Sequence, residues 1–96
     1  MATEFETWVK GVIAKRRNEL APNFVAQLDQ YLAWGDIRTT AFDIMEAVLT
    51  DDNVSDLSVQ EVKLAQIYNE RGWFGRQAKD YFGKLLSAKD RELVAA

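Results

Sequence analysis

The chain has 96 residues, enough for one domain with a single hydrophobic core. Hydrophobic residues make up 48% of it and charged residues 28%, which excludes a disordered tail, and the net charge of −3 disfavours a dedicated nucleic-acid binder. The absence of cysteine and histidine removes disulfides, thiolate nucleophiles, the usual zinc ligands and the commonest general base near neutral pH. We therefore expect a protein that is not an enzyme and that binds no metal or cofactor.

The beginning of the chain gives no targeting signal. Residues 1–8 lack the cationic segment followed by an apolar segment that marks a secretory signal peptide. No apolar stretch approaches the ~20 residues that are needed to span a bilayer. We expect a cytoplasmic location and no membrane partner.

Apolar residues at helical spacing predict helices throughout, and no segment has the pattern of a strand. The first helix is predicted over about residues 4–20, because Thr3 and Glu6 have the spacing of a capping box at its start. Its apolar stripe consists of Phe5, Trp8, Val9, Val12, Ile13 and Leu20. We expect Trp8 to lie in the core.

Proline and glycine mark the limits of the second helix. Pro22 suits a first helical turn, and Gly35 is expected to end the helix in the left-handed conformation. Asp36 is then placed to cap a third helix. The predicted faces are Phe24, Leu28, Tyr31 and Leu32 for the second helix and Ile37, Ala41, Ile44, Met45 and Val48 for the third.

A polar run over residues 50–56 predicts a loop before the last two helices. Ser58 and Glu61 form a second capping box, Gly72 is expected to end the fourth helix, and the fifth is predicted to begin near Gly75. The predicted faces are Val62, Leu64, Ala65, Ile67 and Tyr68, then Ala78, Tyr81, Phe82, Leu85 and Leu86. The fold class is therefore all-α: one five-helix domain over residues 1–96, with two αα-hairpins and a leading N-terminal helix.

The two predicted hairpins resemble each other. At an offset of 37 residues, Tyr31 aligns with Tyr68 and Gly35 with Gly72. The second unit is similar to tetratricopeptide repeats, although its small residue, Ala78, comes one position late and no proline ends the repeat. A tetratricopeptide-like adaptor or structural module of a larger assembly is thus one open interpretation.

No motif for catalysis or metal binding survives inspection. Asp51, Asn53 and Ser55 have the spacing of calcium ligands, but Asp56 replaces the required glycine and Val62 the bidentate glutamate, so we interpret the loop as an acidic connector. Asp43 and Glu46 lie three residues apart and could act as an acid–base pair, but a solvated acidic face is the simpler interpretation. Phosphate-binding glycine motifs are missing.

Charge is unevenly distributed along the chain. Residues 1–38 have no net charge, residues 39–62 hold six acidic side chains and no Lys or Arg, and residues 63–96 have a net charge of +3. The basic run Lys15-Arg16-Arg17 is interpreted as the solvated side of the first helix, so no nucleic-acid partner is expected. The acidic block is either a solubilising surface or a surface that steers a basic partner protein.

Two tryptophans accompany the predicted glycine turns, and tryptophan is enriched among interface hot spots. Trp34 precedes Gly35, and Trp73 follows Gly72. We expect Phe74 to pack inward and Trp73 to be at least partly exposed.

A second resemblance covers about residues 24–72. The stretch 31–37, with its Tyr-Leu, Gly and acidic residue, and the Ala- and Leu-containing helix of 41–49 are similar to the small helical immunity proteins of contact-dependent and Maf-type toxin systems. The acidic connector and the Leu-Ser-x-x-Glu helix start at 57–61 extend the likeness. One extra residue lies between Gly35 and Ala41, and the fifth helix exceeds the family pattern. The resemblance implies tight binding and neutralisation of a cognate toxin domain.

We therefore expect a non-catalytic protein-binding domain, an immunity or inhibitor protein whose partner has a basic surface, with the adaptor as the alternative. The predicted partner-binding residues are Trp34, Asp43, Glu46, Asp51, Asp52, Asp56, Glu61 and Trp73. The oligomeric state and the identity of the partner stay open.

Overall fold

A computed structural model describes residues 3–95, which form five α-helices and contain no strand. The helices are α1 (Glu4–Arg16), α2 (Pro22–Ala33), α3 (Ile37–Thr50), α4 (Val59–Glu70) and α5 (Lys79–Ala95). Short 3-10 turns occupy Arg17–Glu19 and Arg76–Ala78. Helix α2 packs against α3, and α4 packs against α5. The predicted all-α fold with two helical hairpins and a leading helix is confirmed.

The contacts divide the chain into two units, Met1–Ser55 and Asp56–Ala96. The first unit contains α1, α2 and α3, and α1 packs against α3. Its fully buried side chains are mainly those of the predicted stripes: Val9, Ile13, Leu28, Ala41, Ile44, Met45 and Val48. The second unit contains α4 and α5, with Val62, Ala65, Tyr68, Phe82 and Leu86 buried.

Helix α1 ends at Arg16, four residues before the predicted end. The backbone leaves the helical conformation at Arg16, which has φ −117° and ψ 4°, and a 3-10 turn follows. Leu20 is buried although its backbone is extended, with φ −96° and ψ 150°. The apolar pattern predicted too long a helix because Leu20, which is buried beyond the end of α1, continues the helical spacing of apolar residues.

The first glycine turn has the predicted left-handed conformation. Gly35 has φ 76°, its amide donates to the Leu32 carbonyl at 3.0 Å, and the Asp36 amide donates to the Tyr31 carbonyl at 2.9 Å. This pair of bonds is the Schellman motif, which satisfies carbonyls that the end of α2 would leave without donors. Asp36 then caps α3, as predicted, because its carboxylate accepts a hydrogen bond from the Thr39 amide at 3.1 Å.

The second glycine turn repeats this geometry 37 residues later. Gly72 also has φ 76°, its amide donates to the Asn69 carbonyl at 2.9 Å, and the Trp73 amide donates to the Tyr68 carbonyl at 3.1 Å. The two turns therefore have the same pattern of backbone hydrogen bonds.

The segment that follows the second turn differs from the segment that follows the first turn. A 3-10 turn begins at Arg76, but α5 itself begins only at Lys79, later than predicted. The intervening Phe74 is 1% exposed, and its ring meets that of Phe82 edge-on, with the centroids 5.7 Å apart. The prediction that Phe74 packs inward is confirmed. The second connection is longer because Gly75, with φ 105°, is not helical and a 3-10 turn precedes α5.

Two residues of the predicted apolar faces are exposed, and the predicted core residue Trp8 is only partly buried. Ile67 is 47% exposed and Tyr81 is 42% exposed, whereas Trp8 is half-buried and stacks on Phe5. In α4 the buried side includes Asn69, a polar residue that the apolar pattern could not identify. The amide of that side chain donates to the Lys79 carbonyl at 3.0 Å.

The glycine turns lead to a stability prediction. Replacing Gly35 or Gly72 with alanine forces a side chain into the left-handed region, and we expect each change to lower the free energy of unfolding by about 1–2 kcal/mol. Gly11 is the matched control, because a Cβ there meets no atom within 4 Å and the residue lies inside α1. Gly11→Ala should raise stability by about 0.5–1 kcal/mol. Urea denaturation of the three variants measures the differences, and a neutral Gly35→Ala would contradict this account.

Candidate functional site

Three carboxylates follow one another along a single side of α3. Asp36 caps the helix, Asp43 lies seven residues further on, and Glu46 follows three residues later, spacings that bring side chains onto the same helix face. We call these three residues the α3 carboxylate row. All of them belong to the first unit.

The ionised form of Asp43, the central member of the row, is electrostatically unfavourable. Partial burial raises the pKa of Asp43 above its ordinary value, and the neighbouring charges of Glu46 and Asp36 raise it further. Desolvation and like charges both penalise the ionised carboxylate. The ionised form of Asp43 is therefore disfavoured, and a nearby cation would relieve that cost.

Trp34 stands beside the N-terminal end of the row. It is the C-cap of α2, two residues before Asp36, and its side chain is 70% exposed. The Tyr31 ring supports it from the preceding turn, with the two centroids 6.3 Å apart and the planes tilted by 53°. A large apolar side chain thus adjoins the carboxylates within one unit.

The acidic connector has a defined local structure. The Asp51 carboxylate accepts a hydrogen bond from the Asn53 amide at 2.9 Å, which forms an Asx turn, and Asp51 and Asp52 are both exposed. Val54, an apolar residue within the polar run, is only 4% exposed, so its side chain packs the loop against the protein.

The end of the loop is held by two charged side chains. The Arg16 guanidinium, in a residue only 2% exposed, donates from Nε to the Ser55 carbonyl at 2.8 Å and from Nη1 to the Val12 carbonyl at 3.0 Å. The Glu19 carboxylate accepts from the Ser55 amide at 2.7 Å and from the Ser55 hydroxyl. These hydrogen bonds lower the pKa of Glu19. We call this arrangement the Ser55 clamp.

The clamp corrects the interpretation of the basic run. Arg16 is buried, so it does not belong to a solvated helix side as predicted. Arg17 forms two hydrogen bonds with the Asp29 carboxylate, at 3.0 and 3.1 Å, and lowers the pKa of that carboxyl. Arg16 and Arg17 therefore both form hydrogen bonds within the first unit.

In the second unit, two predicted partner-binding carboxylates have structural roles. The Asp56 carboxylate lies 3.0 Å from the Lys89 ammonium and raises the pKa of that lysine. Glu61 is 7% exposed and completes the predicted capping box, in which it accepts from the Ser58 amide at 2.8 Å. The burial of Glu61 leaves it little surface for a partner, so the acidic block of the sequence is not one uniform surface.

Trp73 is 37% exposed, in line with the predicted partial exposure. Its ring stacks on that of Tyr68, with centroids 5.3 Å apart and planes 14° from parallel. The Arg71 guanidinium lies 5.2 Å from the centre of the Trp73 ring, within cation–π distance. The sequence analysis missed Arg71, for which only its position beside the Gly-Trp pair was a signal.

Within residues 3–95, no three acidic side chains converge in a way that could hold a metal ion. None of the helices described there combines the length and the apolar character that crossing a membrane requires.

Neither a protein-family model, nor a curated protein, nor a solved structure matches this chain. The likenesses to immunity proteins and to tetratricopeptide repeats consequently rest on the sequence motifs alone.

The Ser55 clamp predicts a dependence of stability on pH. Because the pKa of Glu19 is lowered in the folded chain, its contribution is present above the ordinary carboxyl pKa and is lost as the pH falls through the lowered value. Glu19→Gln should therefore lower the melting temperature at pH 7 but change it little near pH 2. Asp52→Asn is the control, since it removes an exposed charge from the same loop. Thermal melts over this pH range measure the effect, and an equal loss at both ends would refute the assignment.

Proposed function

We propose that this chain is a non-catalytic protein-binding domain that neutralises a toxin, and that the α3 carboxylate row binds a basic surface of that toxin. The observation that carries the proposal is that three carboxylates lie on one face of α3 beside the exposed Trp34, where partial burial and the two neighbouring carboxylates disfavour the ionised form of Asp43. A cation delivered by a partner would relieve this cost, so binding energy is available at this position in particular.

The row also suits fast and selective association. The first unit holds nine acidic and five basic side chains, a net charge of −4, and one of those cations is the buried Arg16. A surface of one sign attracts a basic partner over distances near the Debye length and disfavours acidic ones. Enzymes that cleave nucleic acids have basic active-site faces, and they are the class of toxin that best fits this charge.

Trp34 provides the apolar component of the proposed interface. Charge alone sets orientation and association rate, whereas most of the affinity of a protein complex comes from a few large, buried side chains. Trp34 is 70% exposed next to the first member of the row, and its burial in a complex would remove a large apolar area from water.

The toxin as partner is taken from the resemblance to immunity proteins, and the cytoplasmic location belongs to the same proposal. The two hairpins with equal glycine turns would also suit an adaptor in a larger assembly. Rescue of cells that express a toxin encoded beside this chain supports neutralisation. Stable incorporation into a multi-subunit complex, without rescue, supports the adaptor.

Asp43 provides a test in which stability and binding change in opposite directions. Because its pKa is raised in the folded chain, ionisation costs stability as the pH rises through the interval between the unfolded and folded values. Asp43→Asn should therefore leave the free energy of unfolding at pH 7 unchanged or raise it by up to about 0.5 kcal/mol. The same variant should bind the toxin about 5-fold more weakly, and Asp43→Lys more than about 10-fold more weakly.

Asp90→Lys is the matched control, because it makes the same charge change on α5 in the second unit. Calorimetric unfolding and surface plasmon resonance measure the two quantities, and Trp34→Ala should raise the dissociation rate. Unchanged affinity in both Asp43 variants would exclude the α3 carboxylate row from the interface.

A further inference from the structure

The outer face of α4, in the second unit, has a chemistry unlike that of the α3 carboxylate row. A shallow groove there is lined by Lys63, Gln66, Ile67, Glu70 and Arg71. Ile67, 47% exposed, occupies its middle, one helical turn from Lys63 on one side and from Arg71 on the other. Trp73, which is 37% exposed, lies next to the groove, because the Arg71 guanidinium is 5.2 Å from the centre of the Trp73 ring. We call this surface the α4 groove.

The positive charges of the groove are not neutralised within the part of the chain that the structure describes. Glu70, the groove's carboxylate, is paired with Lys79 at 3.3 Å. No carboxylate of residues 3–95 forms an ion pair with Lys63 or Arg71, and the contact described for Arg71 is with the Trp73 ring. The groove thus offers two cations with an exposed apolar side chain between them.

We propose that the α4 groove binds an acidic amphipathic helix of a partner protein. Lys63 in α4 and Arg71, the C-cap of that helix, are eight residues apart, a rise of about 12 Å, which matches carboxylates seven or eight positions apart on a second helix. An apolar residue midway between those carboxylates would lie on Ile67, and a neighbouring apolar residue would lie on Trp73. Helices bind helices through such periodic anchors, and the opposite charges fix the register.

This chemistry favours a protein helix over a nucleic acid. Binding of a phosphate backbone relies on many cations along a track and on rings that are free to stack on bases. Here two cations flank an isoleucine, and the Trp73 ring already stacks on Tyr68. The proposal is independent of toxin neutralisation, because it uses α4 in the second unit and an acidic partner, whereas the α3 carboxylate row requires a basic one.

The test uses the full chain and a synthetic helical peptide of about 18 residues. The peptide carries two glutamates seven positions apart with a leucine midway, on an alanine and glutamine background, and its partner peptide has lysines in place of the glutamates. We expect the glutamate peptide to bind with chemical-shift changes confined to α4 and Trp73, and the lysine peptide to bind at least about 10-fold more weakly.

Charge reversal and its rescue identify the site. The double variant Lys63→Glu/Arg71→Glu should weaken binding of the glutamate peptide by at least about 10-fold and should bind the lysine peptide instead. Ile67→Ser should weaken the glutamate peptide by about 5- to 10-fold. The control Lys84→Glu/Arg91→Glu makes the same charge change on the exposed face of α5 and should alter the affinity less than about 2-fold.

Three outcomes would overturn the proposal. The first is no saturable binding of the glutamate peptide below about 1 mM. The second is an equal loss of affinity in the α5 control, which would show binding through net charge alone. The third is tighter binding of a short single-stranded oligonucleotide that Lys63→Glu/Arg71→Glu abolishes, which would assign the groove to nucleic acid.

Discussion

The first unit depends on a guanidinium that has been taken out of water. Arg16 is 2% exposed, and its charge is tolerated because its hydrogens reach the Ser55 and Val12 carbonyls. The same contact, together with the Glu19 carboxylate, holds Ser55 at the far end of the acidic connector, in which Asp51 is exposed. Removing a buried hydrogen-bonded charge usually costs more than removing a surface pair, so the first unit should tolerate the loss of Arg16 less well than the loss of the exposed Arg17–Asp29 pair.

Local signals in the sequence were sufficient for most of the helix limits. The caps at Thr3, Asp36 and Ser58 need only a side chain and an amide three residues away, and the left-handed glycines need only the absence of a Cβ. The end of α1 has no such local signal, and its last residue, Arg16, forms a hydrogen bond with the carbonyl of Ser55, 39 positions along the chain. The outward direction of Ile67 likewise follows from which side of α4 meets α5.

The sequence identified acidic residues of the candidate site but not which of them lie together in the structure. Counting charges along residues 39–62 grouped Asp43 with Asp56 and Glu61, whereas the structure gives Asp56 a lysine partner and Glu61 a capping role. What separates them is burial and hydrogen bonding, which a charge count does not contain. The α4 groove was missed for the opposite reason: its cations are spread among carboxylates in the sequence, and only the helix brings Lys63 and Arg71 to either side of Ile67.

The two glycine turns have the same pattern of backbone hydrogen bonds, but their aromatic side chains lie in different environments. At the second turn, two rings stack nearly parallel with their centres 5.3 Å apart, and Tyr68 is buried, so their near-ultraviolet transitions couple in a chiral setting. At the first turn, Trp34 is tilted against Tyr31 and largely in water. Each hairpin turn therefore carries its own indole in a different environment, and Trp8, stacked on Phe5 in α1, is the third indole of the chain. Replacing Trp8 with phenylalanine would leave one intrinsic indole chromophore for each hairpin turn.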